Sequence, residues 1–457
     1  MRWHTVAARL AAVLMSLALL GGCGSNSTPS PVATALPSPA MAVPTATLSP
    51  SPFGKPSPAP SRSEGPTSNL AWHRIGSIPA NADALRRGGL VGFAKGYVAV
   101  QEGSDSVWFS ADGRDWREVK LPFKVTKDAF EPGANAVATN GTQVLVVGGY
   151  SNRPCRAGGP DTGGGPGCPL SPLAWVSNDG VGWQSAYPGP RPSDPPGYGQ
   201  GSEFVAAWPV ATGGWDAALS YWQGESLHGR GLYHSDDGLR WTRLEPAPAL
   251  VDTGNSDKFP WVHAGAAGVE GIRVLWQGWS DFTDPLAPEG GMPVMTLATS
   301  PDGRAWTTID GFAGRGTEIS AGLAPTAGHT RWLLAGSSGI RLDYSSGVPT
   351  VWRSEDRVTW TPTVLPIPAP HGGGRVATIS LTTAGYVAAG TIFVDDGGPE
   401  TWTAQSGDGV TWVELPHVAK TEGDSDPTIV ADGPAGILGI GVGLASRDNT
   451  ATVWELR

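Results

Sequence analysis

Two short acidic turns carry residue types from which cation chemistry could be built: Asp395-Asp396 before a pair of glycines, and Asp424-Ser425-Asp426. Clustered carboxylate oxygens on a tight turn are what calcium selects. Neither turn has the spacing of a known calcium loop, so the expectation is no metal and no cofactor, calcium being the ion these turns could take. His228, His263 and His371 are scattered and make no H-x-x-x-H pair, which removes the usual zinc arrangement. Aromatic residues offer a second chemistry. Trp279 and Phe282, within GWSDFTDP, suit stacking on a sugar ring or anchoring a protein contact, and Glu225, Asp395 and Asp396 join them as binding candidates. Trp222 and Trp276 read instead as packing residues. There is no Gly-x-Ser-x-Gly elbow, phosphate loop or dinucleotide fingerprint leading into a helix.

The chain that must position these residues is 457 residues long, with 16% charged residues, 65 Gly and 20 Trp. Few charges, many turns and many large aromatics predict an all-β protein of short strands. The formal net charge is −10. An acidic surface argues against nucleic acid as a partner, because phosphate binding needs a basic face.

Residues 1–22 read as a signal peptide. Arg2 and Arg9 precede an apolar run from Ala11 to Leu20, too short for a membrane span. The run ends in Leu20-Gly21-Gly22-Cys23, which resembles the lipobox of bacterial lipoproteins. By that resemblance Cys23 becomes a lipid-modified N-terminus, and the protein sits at the cell membrane, on the extracytoplasmic face of a bacterium. Residues 23–69 are rich in Pro, Ser, Thr and Ala and cannot bury a core, so they are expected to be a disordered tether. The two other cysteines, Cys155 and Cys168, flank a Gly-rich loop and are expected to pair in an oxidising compartment.

Residues 70–457 are organised by a repeat, Ser-x-Asp-Gly-x-x-Trp. It occurs at Ser110, Asp112, Gly113 and Trp116, then with Asp179 and Trp183, Asp237 and Trp241, Asp302 and Trp306, and Asp408 and Trp412. A damaged copy has Asp356 and Trp360 but Arg357 in place of Gly. A strand-like run precedes and follows each copy, so each box is a hairpin turn. The Asp accepts backbone N–H bonds, the Gly supplies a positive φ, and the Ser adds a local hydrogen bond. At Arg357 the turn either differs or carries strain of about 1 kcal/mol.

These boxes resemble the Asp-box (BNR) repeat of β-propellers, a family that includes sialidases, sortilin-type receptors, some glucanases and a photosystem assembly factor. The resemblance implies that each box joins the third and fourth strands of a blade and plays a structural part. Six boxes allow six blades. However, three strand-like runs follow the last box, PTIVADG, GILGIGVG and TATVWELR, and LAWHRIGSIP at residues 70–79 reads as the strand that would complete them. We therefore expect a seven-bladed β-propeller closed by its N-terminal strand, six blades being the alternative. The boxes and the short 1–2 turns then share one face. The 2–3 and 4–1 connections share the other, with the long irregular insertions at 149–171, 223–231, 278–293, 337–348 and 393–400.

Within the same resemblance, a sialidase-like glycosidase needs three arginines on a carboxylate, a Tyr activated by Glu and an Asp acid/base. The family's N-terminal Arg-Ile-Pro is unmatched, because Arg74-Ile75 continues to Gly76. Arg86, Arg87 and Arg375 fall at inner or rim positions, with Arg230, Arg341 and Arg447 on loops. Glu203, Glu318 and Asp424 are the carboxylates, and Tyr344 lies beside Asp343. Arg86, Arg375, Glu318 and Asp424 are the catalytic candidates, although no spaced set assembles from them. The expected function is therefore non-catalytic binding of a protein or glycan through the 2–3/4–1 face. A sialidase-like hydrolase and an envelope-complex assembly factor are the alternatives.

Overall fold

The computed structural model describes residues 69–123, 130–151, 170–186, 202–223, 226–244, 258–268, 273–281, 292–326, 330–339, 347–367, 373–393, 399–418, 425–441 and 450–457. They form seven four-stranded antiparallel sheets arranged as the blades of a propeller. Blade one runs outward through Leu90–Phe93, Gly96–Val100, Ser106–Ser110 and Arg117–Lys120. The innermost strands of blades two to seven are Phe130–Thr139, Ser202–Pro209, Lys258–Ala267, Glu318–Leu323, Gly373–Thr382 and Pro427–Gly433. Blade seven is completed from the other end of the chain. Trp72–Ile78 pairs antiparallel with Ala451–Leu456, and Ala71 and Arg457 exchange backbone hydrogen bonds. The ring therefore leaves neither terminal strand unpaired at its closure.

The core lies between blades. Seven apolar clusters line the seven blade boundaries. Val98, Val107 and Phe109 of blade one, for example, pack against Val146, Leu173 and Trp175 of blade two. Each sheet is thus buried on both faces, which explains strands that read as nearly continuous apolar runs rather than as alternating ones. Trp276 is fully buried, as its expected packing role requires.

All six boxes lie between the third and fourth strands of their blades. In the first, the Gly113 N–H donates to Ser110 Oγ at 2.8 Å, and the Arg114 and Asp115 N–H groups donate to Asp112 Oδ1 at 2.9 and 3.1 Å. These backbone donors hold the carboxylates of Asp112, Asp179, Asp302, Asp356 and Asp408 below their ordinary value. The indole N–H groups of Trp116, Trp183, Trp241 and Trp360 return to the carbonyl of the residue three positions back.

The damaged copy keeps the same turn. Arg357 N–H donates to Ser354 Oγ at 2.7 Å, and Arg357 holds φ at 66°, close to the 71° of Gly409 in the next box. Of the two alternatives for this copy, the strained one holds. Arg357→Gly is accordingly expected to raise stability by about 1 kcal/mol in a denaturant titration. A lower unfolding midpoint would mean that the arginine's packing outweighs its strain.

Two details of the face opposite the boxes differ from expectation. The 223–231 insertion of blade three is instead a hairpin, with Trp215–Gln223 pairing to Ser226–Ser235 as far as Gln223↔Ser226. Trp279 is a strand residue, inside Arg273–Asp281 and paired with Val294. In both places pairing continues past the point where turn-forming residues suggested a loop, because the antiparallel partner supplies hydrogen bonds that a single strand cannot. Among the described residues, no helix is long and apolar enough to cross a membrane.

Candidate functional site

The innermost strands share a device that single-strand reading does not reveal. In six blades the pairing register slips by one residue, marking a β-bulge at Asn135, Val205, Trp261, Ser320, Ala377 and Thr428. The residue two positions before each bulge is Gly133, Glu203, Phe259, Glu318, Arg375 and Asp426. These are equivalent positions at the start of each inner strand, on the face opposite the boxes. Four of the six are ionisable, and together they form a ring at the channel mouth.

Glycine in the second strand makes room for the bulge. Ala134, Ile319, Val376 and Pro427 pair with Gly148, Gly336, Gly390 and Gly441. A Cβ at Gly148, Gly336 or Gly390 would lie 1.9, 1.8 or 2.0 Å from the carbonyl oxygen of Gly133, Glu318 or Arg375, respectively. The ring residue's own backbone thus presses into the space of a missing side chain. Hydroxyl groups of the first and second strands then tie neighbouring blades together around the channel. Ser337 Oγ donates to Gly374 O at 2.9 Å, Ser320 Oγ to Val376 O, and Thr378 Oγ1 to Thr428 O at 3.1 Å.

The ring residues have distinct surroundings. Glu203 accepts from Asn135 Nδ2 at 2.8 Å, while Asn135 also donates to Phe204 O at 2.9 Å. Burial raises the Glu203 carboxyl, the Asn135 hydrogen bond opposes this, and the charge of Glu102 adds to it. Glu318 is also raised by burial, offset in part by Arg375, whose NH1 lies 4.0 Å from Glu318 Oε1. The Glu318 side chain is 17% exposed and that of Arg375 42%, so the guanidinium stands at the opening with the carboxyl beneath it.

Asp426 is already engaged. It accepts from the Val418 N–H at 3.0 Å and contacts His417 Nδ1 at 2.5 Å, while His417 Nε2 lies 3.3 Å from Glu414 Oε1. Hydrogen bonds to these two carboxylates push His417 up to about 10. Because the folded value is raised, the clamp's stabilisation is fully present below the ordinary imidazole value and is lost as pH rises through about 10. The clamp pins the connection between blades six and seven.

The rim beside blades one and two is built from the helix Ala82–Gly88 and the connection at 101–105. Glu102 N–H donates to Ala84 O, and Ser104 bridges to Ala134. Arg86 and Arg87, expected at inner or rim positions, lie on this helix. Arg86 pairs with Asp83 at 3.5 Å and Arg87 pairs with Glu102. Both arginines thus have carboxylate partners on the rim, and Arg375 is the one arginine among the six bulge-aligned positions.

Of the catalytic candidates, the structure brings Glu318 and Arg375 together, adds Glu203 at the equivalent inner-strand position and places Arg86 on the rim helix beside Asp83. Asp424, Glu225, Phe282, Asp395, Asp396, Cys155, Cys168 and Cys23 lie outside the described residues, as do Arg341, Tyr344 and Arg447. So do the side chains of Trp279, Trp222 and Arg230. Among the described residues, no three metal-ligating side chains converge. Asn135 and His417 were not singled out from the sequence, and Asp426 was named only as part of an acidic turn; aligning the inner strands on their bulges would have pointed to Asn135, at a bulge, and to Asp426, two positions before one.

No protein-family model and no curated protein matches the chain. Among solved structures the chain is similar to a polysaccharide lyase, an ulvan lyase, at 11% identity and a TM-score of 0.47, covering 83% of this chain and 93% of that one. It is similar to a Hadza microbial sialidase at 16% identity and a TM-score of 0.41, covering 76% and 65%. It is also similar to the α-L-arabinofuranosidase of Fusarium graminearum, at 11% identity and a TM-score of 0.43, covering 74% and 98%. These neighbours are glycan-active propellers at low identity.

Proposed function

We propose that the protein is a non-catalytic binding propeller that takes a glycan at the ring of Glu203, Glu318 and Arg375. The observation that carries this reading is the Glu318–Arg375 pair. It sets a partly exposed five-donor guanidinium beside a carboxyl at the channel mouth. Hydroxyl groups both donate and accept, so a sugar can satisfy the two at once. Glycan-array screening followed by calorimetry tests this. Arg375→Ala and Glu318→Gln should each weaken binding about tenfold or more, the worth of one charge-assisted hydrogen bond. Equal affinity in both variants would remove the ring from the binding site.

A second reading is a glycoside hydrolase of sialidase-like type. It is favoured by the two carboxyls, Glu203 and Glu318, which retain their protons to higher pH than an exposed glutamate does. A panel of glycoside substrates separates the readings: turnover lost in Glu318→Gln selects the hydrolase, and binding without turnover selects the module.

We also propose that the propeller is carried outside the cytoplasm by a lipid on Cys23. Cys23→Ala should shift the protein from the membrane to the soluble fraction. Retention of the variant in washed membranes would rule out the anchor.

A further inference from the structure

The damaged box borders a second feature, on the face opposite the ring. Between blades five and six, Arg331, Arg353, Ser354, Glu355, Thr359 and Thr361 line a cavity of about 240 Å³. The cavity arises from one register position. The third-strand residue just before the box serine is Phe109 in blade one and Val176 in blade two. Each packs under the glycine of the next box, so that a Cβ at Gly180 would lie 2.3 Å from Phe109 Cδ2, and one at Gly238 would lie 3.3 Å from Val176 Cβ. In blade five the same position holds Arg353. The next box glycine, Gly409, rests on Tyr386 and Leu333 instead. The volume that an apolar side chain fills at the first two boundaries is left open here and lined with polar groups.

The two arginines differ in what holds them. Arg331 is fixed across the blade boundary, with NH1 donating to Asp408 O at 2.9 Å and Nε 3.4 Å from Glu355 Oε1. Arg353 is half-buried and has no hydrogen-bond or ion-pair partner among the described residues. Glu355 is 75% exposed and is the cavity's one carboxylate. Two guanidiniums against one solvent-facing carboxylate leave the cavity positive, in a protein whose net charge is −10. A half-buried guanidinium without a partner is costly unless a counter-charge reaches it, and its planar fork matches two oxygens of an anion.

We infer that this cavity binds an oxyanion, the carboxylate, sulfate or phosphate group of a small ligand, between Arg353 and Arg331. The exposed Thr359 and Thr361 lie at its edge, and the anion displaces Glu355 from Arg331. The site is separate from the ring and does not depend on the ring's function.

Calorimetric titration of the full chain with inorganic sulfate, inorganic phosphate and glucuronate, at ionic strength held constant with sodium chloride, tests the inference. Saturable binding of at least one of the three is expected, and the tightest names the preferred oxyanion. Arg353→Ala should weaken it roughly 10–100-fold. Arg353→Lys keeps the charge but not the fork and should weaken it less, and Glu355→Gln should tighten it severalfold. Without added anion, the unfolding midpoint of Arg353→Ala should be no lower than that of wild type, because the substitution removes a half-buried charge and breaks no protein hydrogen bond or ion pair. No saturable binding of any of the three, or an affinity unchanged in Arg353→Ala, would overturn the assignment.

Discussion

Asp216→Ala is expected to cost about 3–5 kcal/mol in a urea titration, a large share of the stability of an ordinary domain. Asp216 is fully buried on the second strand of blade three, and Arg273, 6% exposed, faces it from blade four. The guanidinium binds the carboxylate through two nitrogens, Nε to Oδ2 at 2.5 Å and NH2 to Oδ1 at 3.2 Å. His234 Nδ1 lies 2.8 Å from Asp216 Oδ1, and that hydrogen bond raises the imidazole above its ordinary value. Deleting the carboxylate leaves a charge under the fourth box, where a Cβ at Gly303 would lie 2.0 Å from Arg273 NH1. Buried there, it has little access to water.

The same seam is apolar at the other blade boundaries. At the register position of Asp216 the remaining blades carry Val98, Leu145, Val274, Leu333, Val387 and Leu438. At the position of Arg273 they carry Tyr97, Val144, Trp215, Trp332, Tyr386 and Ile437. The double variant Asp216→Val with Arg273→Val should therefore recover most of the loss, since a well-packed apolar pair is often as stable as a buried ion pair. A loss under about 1 kcal/mol in Asp216→Ala would mean that water reaches Arg273 and that the seam is open. His234 adds a pH dependence of definite sign. Its folded value is raised, so its contribution is complete below the imidazole's ordinary 6.5 and fades as pH rises through the raised value.

Gly336→Ala is the second substitution with a large expected effect, about 1–3 kcal/mol or more. A Cβ there would sit 1.8 Å from Glu318 O, and the obstacle is backbone, which cannot rotate aside. Relief requires the inner strand of blade five to move at the bulge. That movement carries Glu318 away from Arg375, so any ligand affinity that depends on the pair should fall together with stability. Gly141→Ala is the control, because nothing lies within 4 Å of a Cβ at that turn, where φ is 89°. Its cost should be that of a positive φ alone, about 1–2 kcal/mol, with the ring undisturbed. If Gly336→Ala unfolds at the wild-type midpoint, the bulge is not held by the glycine.

Much of the architecture was legible from residue types. The box is a local object, because its Ser, Asp and Gly satisfy one another's backbone within seven residues, so its repetition reports blades directly. Counting strands after Trp412 and before Ala80 also exposed the split blade, since an unpaired triplet of strands needs a fourth. Glu318 and Arg375 could be named, and so could Glu203. What placed them in one ring was the bulge, and a bulge is a property of two paired strands rather than of either sequence alone.

The same limit accounts for the readings that changed. Arg86 and Arg87 were expected at inner or rim positions; what the sequence did not show was the short rim helix, with Asn81 accepting from the Ala84 N–H, that pairs them with Asp83 and Glu102. Trp279 looked like a loop residue until its pairing with Val294 placed it on a strand. By itself the sequence determined the repeat, the turn chemistry and the all-β class, which follow from contacts within a few residues; it favoured seven blades over six, and the pairing of Trp72–Ile78 with Ala451–Leu456 decided for seven. Only the tertiary structure decided which distant charges meet: Glu318 with Arg375, Asp216 with Arg273, and Arg353 with no partner among the described residues. Those pairings depend on register between strands and on what the neighbouring blade presents, and no local pattern encodes either.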